Sequence, residues 1–285
     1  RGLGDVYKRL PLGWAAKQLP VRTKLSFGLL THIHLHARAQ ESYASTPVPK
    51  TKTMGRSAFQ GLVDSLETTT RKLRWQPRGT EWGEYYDCTN YSEEAESQKE
   101  TAFLSLLRKV DAETVLDLGA NTGRYSQIAA EQGFQVISCD IDPACVEKNY
   151  LQCRDRQKAS VLPLLLDVCN PSPGIGWTNT ERTPFLERVE ADVVVMLALI
   201  HHLAISNNLH LSQVAEVASR LGEFLVIEFV PKEDSQVQRQ LSTRADIFPE
   251  YSESGFEAAF SSHFAIVERL PLLGSSRTLY LMRRR

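Results

Sequence analysis

The sequence has little that would staple a chain covalently. Its five cysteines, Cys88, Cys139, Cys145, Cys153 and Cys169, are odd in number and never spaced C-x-x-C. That argues against a disulfide framework and a zinc ribbon and predicts a reducing compartment, the cytoplasm by default. No apolar run approaches the ~20 residues that a membrane span requires. The longest, from Val193 to Ile200, is strand-sized. The first residues lack the short apolar core and small-residue cleavage site of a secretory signal. The chain opens at Arg1 rather than Met, as expected of a piece of a longer protein.

An excess of one charge sign is missing on average, since the net charge is −1. The average hides an asymmetry. Residues 1–80 carry fourteen Lys or Arg against Asp5, Glu41, Asp64 and Glu67, about +10, which leaves about −11 for the rest. One reading is a basic arm for an anionic partner: nucleic acid, a phosphorylated glycan, an acyl carrier or an acidic domain. The other is a solvated face, or a surface that docks on the acidic remainder of the same polypeptide.

What is present is a change of pattern near residue 97. Before it, LSFGLLTHIHLHARAQ is helix-like. STPVPKTKT (45–53) reads as a loop. SAFQGLVDSLETTTRKLRW (57–75) has helical spacing, with Phe59, Leu62, Val63 and Leu66 on one face and Ser57 as an expected cap. His32, His34 and His36 suggest a metal at first sight, but on a helix only His32 and His36 share a face, and no metal is expected. Residues 1–80 are thus expected to form a helical, basic extension or lid, and 81–96 an aromatic linker. That linker, WGEYYDCTNYS, offers Trp82, Tyr85, Tyr86 and Tyr91 either as faces for a cation or as ordinary packing.

From 97 to 285 strands and helices alternate. Strands are expected at 114–120, 134–142, 160–168, 191–200 and 223–230, with amphipathic helices between them. PACVEKNYLQCRDRQ opens with proline, which a first helical turn accepts. Apolar strands between helices imply a parallel sheet covered on both faces. The last two strands, HFAIVERLPLL and SSRTLYLMRRR, are joined by a turn too short for a crossover helix, so they form an antiparallel hairpin. The expected fold is therefore α/β and Rossmann-like, seven-stranded, with five parallel strands, a closing hairpin and an N-terminal helical extension. Ligands of such sheets sit beyond the carboxyl ends of the strands.

The first strand runs into a glycine turn, VLDLGANTG, with Gly119 and Gly123. Both allow a tight turn and close approach of a ligand to backbone. The segment is G-x-x-x-G rather than the dinucleotide pattern G-x-G-x-x-G. Asp117 stands two residues ahead, where it would repel a pyrophosphate and accept from an ammonium. Asp140 ends the second strand, where a carboxylate can take ribose hydroxyls, and Asp167 with Val168 ends the third, where an acid can accept the adenine amino group.

With these motifs the sequence resembles the class I S-adenosylmethionine-dependent methyltransferases. VLDLGANTG matches their first motif, VISCDIDP the acidic second and LLLDV the third. The closing hairpin is also theirs. More narrowly, LLTHIHLHARAQ, ALIHHLAISNN, EFVPKEDSQVQ and DIFPEYSESGFEAAF resemble a bacterial group, some labelled nodulation-related, in which a methyltransferase follows a longer N-terminal region. The resemblance implies S-adenosylmethionine as cofactor. It implies that Asp117, Gly119, Ala120, Asn121 and Gly123 hold its methionine end, Asp140 and Ile141 its ribose and adenine, and Asp167 and Val168 the adenine edge. Leu197 and Ala198, at the end of the fourth strand, would line the same ligand.

The fourth strand ends LALIHHLAISNN. The Asn or Asp followed by Pro-Pro-aromatic of base amino-methylating relatives is absent, and no cysteine follows strand four or five, so exocyclic and carbon-5 base methylation are disfavoured. His201 or His202 is the expected general base, with strand capping as the competing role. Tyr86, Tyr91, Glu228 and Lys232 are candidates for substrate contact. The expected reaction is O-methylation, less so N-methylation, of a small molecule, glycan or carrier-bound intermediate. An RNA methyltransferase with a basic arm, and a non-catalytic binding module, are the alternatives.

Overall fold

The computed structural model describes residues 11–43, 54–77, 79–80, 93–155 and 160–285. The chain divides into two compact units, Arg1–Gln76 and Pro77–Arg285.

Within the first unit lie α1 (Leu12–Gln18), a 3-10 turn (Val21–Leu25) and a helical stretch made of α2 (Phe27–Leu29), a π segment (Leu30–Leu35) and α3 (His36–Tyr43). α4 (Arg56–Lys72) packs back on it. A Cβ at Gly28 would lie 2.2 Å from Thr69 Oγ1, so only glycine lets α2 and α4 meet there. His34 Nε2 lies 2.8 Å from Thr23 Oγ1, and His32 Nε2 lies 2.9 Å from Ser65 Oγ on α4. These histidines are partnered by hydroxyls, and among the described residues no three His, Cys, Asp or Glu side chains converge as a metal site. Ser57 does not cap α4. The N-cap position is Gly55, and Ser57 lies inside the helix.

The first described helix of the second unit is α5 (Glu93–Leu107), which starts earlier than the change of pattern at 97 suggests. Then follow β1 (Thr114–Leu118), α6 (Arg124–Glu131), β2 (Gln135–Asp140), α7 (Pro143–Asp155), β3 (Val161–Leu165), α8 (Phe185–Arg188) and β4 (Ala191–Met196). The chain continues through α9 (Leu211–Leu221), β5 (Gly222–Phe229), α10 (Ser235–Leu241), α11 (Glu253–Ser261), β6 (Phe264–Pro271) and β7 (Thr278–Arg284). The seven strands lie in the order β3-β2-β1-β4-β5-β7-β6. β1 to β5 are parallel, and β7 runs antiparallel between β5 and β6. The expected sheet is therefore present. The helix α11 was not legible as such, because its apolar residues fall on only two turns.

Alternate residues of each central strand face opposite layers, as the strand period of two demands. Leu116, Val194, Met196 and Ile227 pack with α9 and with Phe256 and Phe260 of α11. Val115, Val193, Val195 and Val226 pack with Phe103 and Leu106 of α5 and with Tyr125 of α6. β3 is an edge strand, which is why it tolerates Pro163. Among the described residues no helix is long and apolar enough to cross a membrane.

One polar cluster interrupts this core. Glu228, wholly buried near the end of β5, accepts from Lys99 Nζ of α5 at 2.6 Å and from the Ala198 N–H at 2.8 Å. Arg277, just before β7, lies 3.5 Å from Glu228 and binds Asp234, the N-cap of α10, through Nε at 2.7 Å. Five segments, α5, the β4 loop, β5, the α10 N-cap and the chain just before β7, are thereby tied at one end of the sheet. Removing one member of such a set strands a charge away from water. Lys99→Met is expected to cost about 3 kcal/mol in urea denaturation; a cost under about 1 kcal/mol would mean that Arg277 neutralises Glu228 by itself.

Candidate active site

The glycine turn links β1 to α6. Gly119 and Gly123 have φ of 75° and 83°. Both are also crowded. A Cβ on Gly119 would approach Leu199 Cδ1 to 3.0 Å, and one on Gly123 would lie 2.4 Å from the Asn149 side chain. Asn121 takes φ 51° between them, a conformation that a short polar side chain tolerates, and its Oδ1 accepts from the Thr122 N–H at 2.7 Å. The Leu199 contact brings the turn after β1 against the loop after β4.

Asp140 holds this turn to the next strand. Its Oδ2 accepts from the Asn121 N–H at 2.7 Å and its Oδ1 from the Asp142 N–H at 2.8 Å. Burial raises its pKa, and the N–H donors of Asp142 and Asn121 oppose that. Asp142 in turn caps α7 by accepting from the Ala144 N–H at 2.8 Å. Ile141 stands out from the surface beside Asp140, 57% exposed, an apolar face next to a carboxylate.

Asp117 is buried within β1 and accepts from Ser126 Oγ at 2.6 Å. Burial pushes its pKa up to about 7, against the Ser126 hydrogen bond; the Asp140 charge adds to the rise and Lys99 opposes it. A cation placed beside this carboxyl would relieve the cost of burying it. Asp167 is not at a strand end. β3 stops at Leu165, and Asp167 sits in the following turn, where Oδ1 accepts from the Cys169 N–H at 2.9 Å. Val168 is half-buried against the core. Asp117 within β1, Asp140 at the end of β2 and Asp167 in the turn after β3 thus follow adjacent strands and offer carboxyl acceptors beside one exposed apolar side chain, a set that fits a nucleoside joined to an amino acid.

β4 also ends earlier than expected, at Met196, so Leu197 and Ala198 belong to the loop. Ala198 takes φ 49°, rare for a residue with a Cβ, and its N–H is held by Glu228. His201 follows, 2% exposed, with Nδ1 lacking a partner. The His202 ring lies against it, centroids 4.1 Å apart, with Nδ1 2.9 Å from Gln240 Nε2 of α10. Burial, then the charges of His202, Arg277 and Lys99, hold the His201 pKa well below the usual imidazole range. Burial and Arg277 lower that of His202 to about 4. Both rings are therefore neutral at pH 7.

The structure assigns other partners to two sequence-based substrate candidates. The Glu228 carboxylate is enclosed by Lys99, Arg277 and Ala198 and has no exposed surface, and Lys232 Nζ binds the Asp246 carboxylate at 2.7 and 2.9 Å. Tyr86 and Tyr91, with Trp82 and Tyr85, lie outside the described residues. Sequence reasoning missed Lys99, Arg277, Ser126, Ser138, Asn149 and Gln240. Their partners are 9 to 129 residues away in the chain, and no local pattern announces such pairs.

The family described as "Methyltransferase domain" matches residues 90–247. Nodulation protein NoeA of Rhizobium meliloti (strain 1021) is 34% identical over 275 residues, covering 94% of this chain and 58% of that protein. The chain thus spans somewhat over half the length of that relative. Among solved structures, N-methyltransferase NodS from Bradyrhizobium japonicum WM9 aligns with a TM-score of 0.49 at 15% identity, over 68% of this chain and 98% of that one. Magnesium protoporphyrin IX methyltransferase (ChlM) from Synechocystis PCC 6803 aligns with a TM-score of 0.47 at 14% identity, over 67% of this chain and 83% of that one. By its family match and the sheet order that carries its glycine turn, the chain belongs to the class I methyltransferases that use S-adenosylmethionine.

Proposed function

We propose that this chain transfers a methyl group to an oxygen of a small molecule, glycan or carrier-bound acceptor, with His202 as the base. The observation that carries the reading is a neutral, partly exposed imidazole, His202, which opens the π-helical segment His202–Ser206 just after Leu199, the residue that presses against the glycine turn. A hydroxyl acceptor must lose its proton as the new bond forms, and a neutral imidazole can take it. Gln240 fixes the ring through Nδ1. Gln240 Oε1 is buried and lacks a partner, so turning the amide over would let Oε1 accept from Nδ1–H and leave Nε2 as the basic nitrogen. His201, enclosed by the core, supports the ring of His202 from behind.

S-adenosylmethionine, when bound, supplies an electrophilic methyl group on a sulfonium. The chain's own contribution is mainly position. Asp117 is the proposed partner of the amino group, Asp140 and Ile141 of the ribose and adenine, and Asp167 with Val168 of the adenine edge. Ala120, Asn121, Gly123, Leu197 and Ala198 would contribute backbone and surface around it.

Asp140→Ala is expected to weaken S-adenosylhomocysteine binding by about 1–3 kcal/mol in calorimetry, since it removes hydrogen bonds to a charged group. Unchanged affinity would contradict the ribose assignment. His202→Ala should lower turnover about a hundredfold with S-adenosylhomocysteine affinity kept, measured on an acceptor found by screening for release of that product. Unaltered turnover would remove the base. The pH profile supplies a further check. The base works when neutral, so its contribution should persist as pH falls through 6.5 and disappear toward about 4; a loss centred at 6.5 would count against His202. Folding stability carries the same sign, because the folded pKa lies below the unfolded one: stability is fully present above about 6.5 and declines as pH drops toward 4.

A further inference from the structure

Behind Asp117 lies a buried chain of hydroxyls and one amide. Ser126 Oγ is 2.6 Å from Asp117 Oδ2 and 2.8 Å from Ser138 Oγ of β2. Ser138 Oγ also accepts from Asn149 Nδ2 of α7 at 2.8 Å. The Asn149 amide is oriented by Gln127 Nε2, 3.4 Å from its Oδ1. Asp117, Ser126, Ser138 and Asn149 are each at most 3% exposed.

The proton count is the informative feature. A serine hydroxyl has one hydrogen, yet Ser126 stands in donating geometry to two acceptors. It can serve only one at a time. When Asp117 is ionised, the hydrogen goes to the carboxylate, a charge-assisted bond that suits the shorter distance. When Asp117 carries a proton, its own O–H donates to Ser126 Oγ, and the Ser126 hydrogen turns to Ser138. Both arrangements leave the Ser126 hydroxyl and the Asp117 carboxyl oxygen beside it partnered.

We propose that Ser126, with Ser138 as its second acceptor, is a positioning residue that sets the charge Asp117 presents to the amino end of the cofactor. This rests on the reading of Asp117 as the partner of that amino group. The other groups facing Asp117 are Asp140 and the Cys139 thiol from β2 and Lys99 from α5. Asp140 favours the protonated carboxyl and Lys99 the ionised one, while burial keeps the Cys139 thiol neutral by pushing its pKa up to about 12. Because burial brings Asp117 to about 7, small changes at Ser126 alter its charge near neutrality.

The test follows the Asp117 carboxyl by carbon-13 NMR in the cofactor-free chain, its resonance identified by its loss in Asp117→Asn. Ser126→Ala removes the donor to the carboxylate and should raise the midpoint by about one pH unit or more. Ser138→Ala removes an acceptor that only the protonated arrangement uses and should lower it. Ser126→Thr keeps the hydroxyl and should restore the wild-type midpoint. Opposite signs are the signature, since loosened packing would move both variants alike. Shifts of the same sign, or none, overturn the proposal. Should Ser126→Ala fail to fold, a Ser138→Ala midpoint at or above the wild-type value overturns it alone. S-adenosylhomocysteine titrations over the same pH range should show affinity falling about tenfold per unit below each midpoint. Moved midpoints with unmoved affinity profiles overturn the link to the cofactor. Absence of S-adenosylhomocysteine binding to wild type at every pH sinks the cofactor reading, while the carboxyl midpoints still decide what Ser126 does.

Discussion

The arrangement depends on how closely two backbone turns approach each other. Gly119 lies so near Leu199 that a single added carbon would sit 3.0 Å from its methyl group. That contact sets the glycine turn after β1 against the loop after β4. One turn follows Asp117 and is held by Asp140 of β2, and the other leads into the two imidazoles. A side chain at Gly119 would force them apart and face an unfavourable φ as well. Gly123 meets the same constraint at the start of α6, where Asn149 occupies the space that a Cβ would need.

Charge burial is the second constraint, and each buried group is treated differently. Glu228 is matched by two cations and a backbone N–H, which makes it a tie between α5, β5, β7 and the β4 loop. Its hold on Ala198 keeps a strained φ of 49° in place, and the histidines follow directly. Asp140 accepts two loop N–H groups and joins the tips of β1 and β2. Asp117 accepts from the Ser126 hydroxyl, and burial raises its pKa to about 7. A buried carboxyl in that state gains most from a neighbouring cation, which is the chemistry an ammonium group would bring.

The histidines show the same physics with opposite sign. Burial disfavours their charged forms, and Arg277 and Lys99 add to that for His201. The cations of the polar tie that anchors the β4 loop thus reinforce what burial does to the nearby imidazoles. One cluster ties the fold together and adds to the burial that keeps the two imidazoles uncharged.

How much of this was legible in the sequence follows from the range of each interaction. Strand and helix alternation, the closing hairpin and the glycine turn depend on residues a few positions apart, and the order of apolar and polar side chains determined them. The acids at the strand tips were legible for the same reason, though Asp167 lies in a turn beyond β3 and Leu197 and Ala198 beyond β4, since strand ends are set by pairing with neighbours rather than by composition. Glu228 and Lys232 read as open charges because their partners, Lys99, Arg277 and Asp246, are far off or on other elements. The Ser126–Ser138–Asn149 chain was invisible, since a serine in a helix, a serine in a strand and an asparagine in the next helix form no pattern until the sheet stacks them. Local periodicity is written along the chain; which buried polar atoms share a hydrogen is decided only when folding brings separate strands and helices within 3 Å of one another.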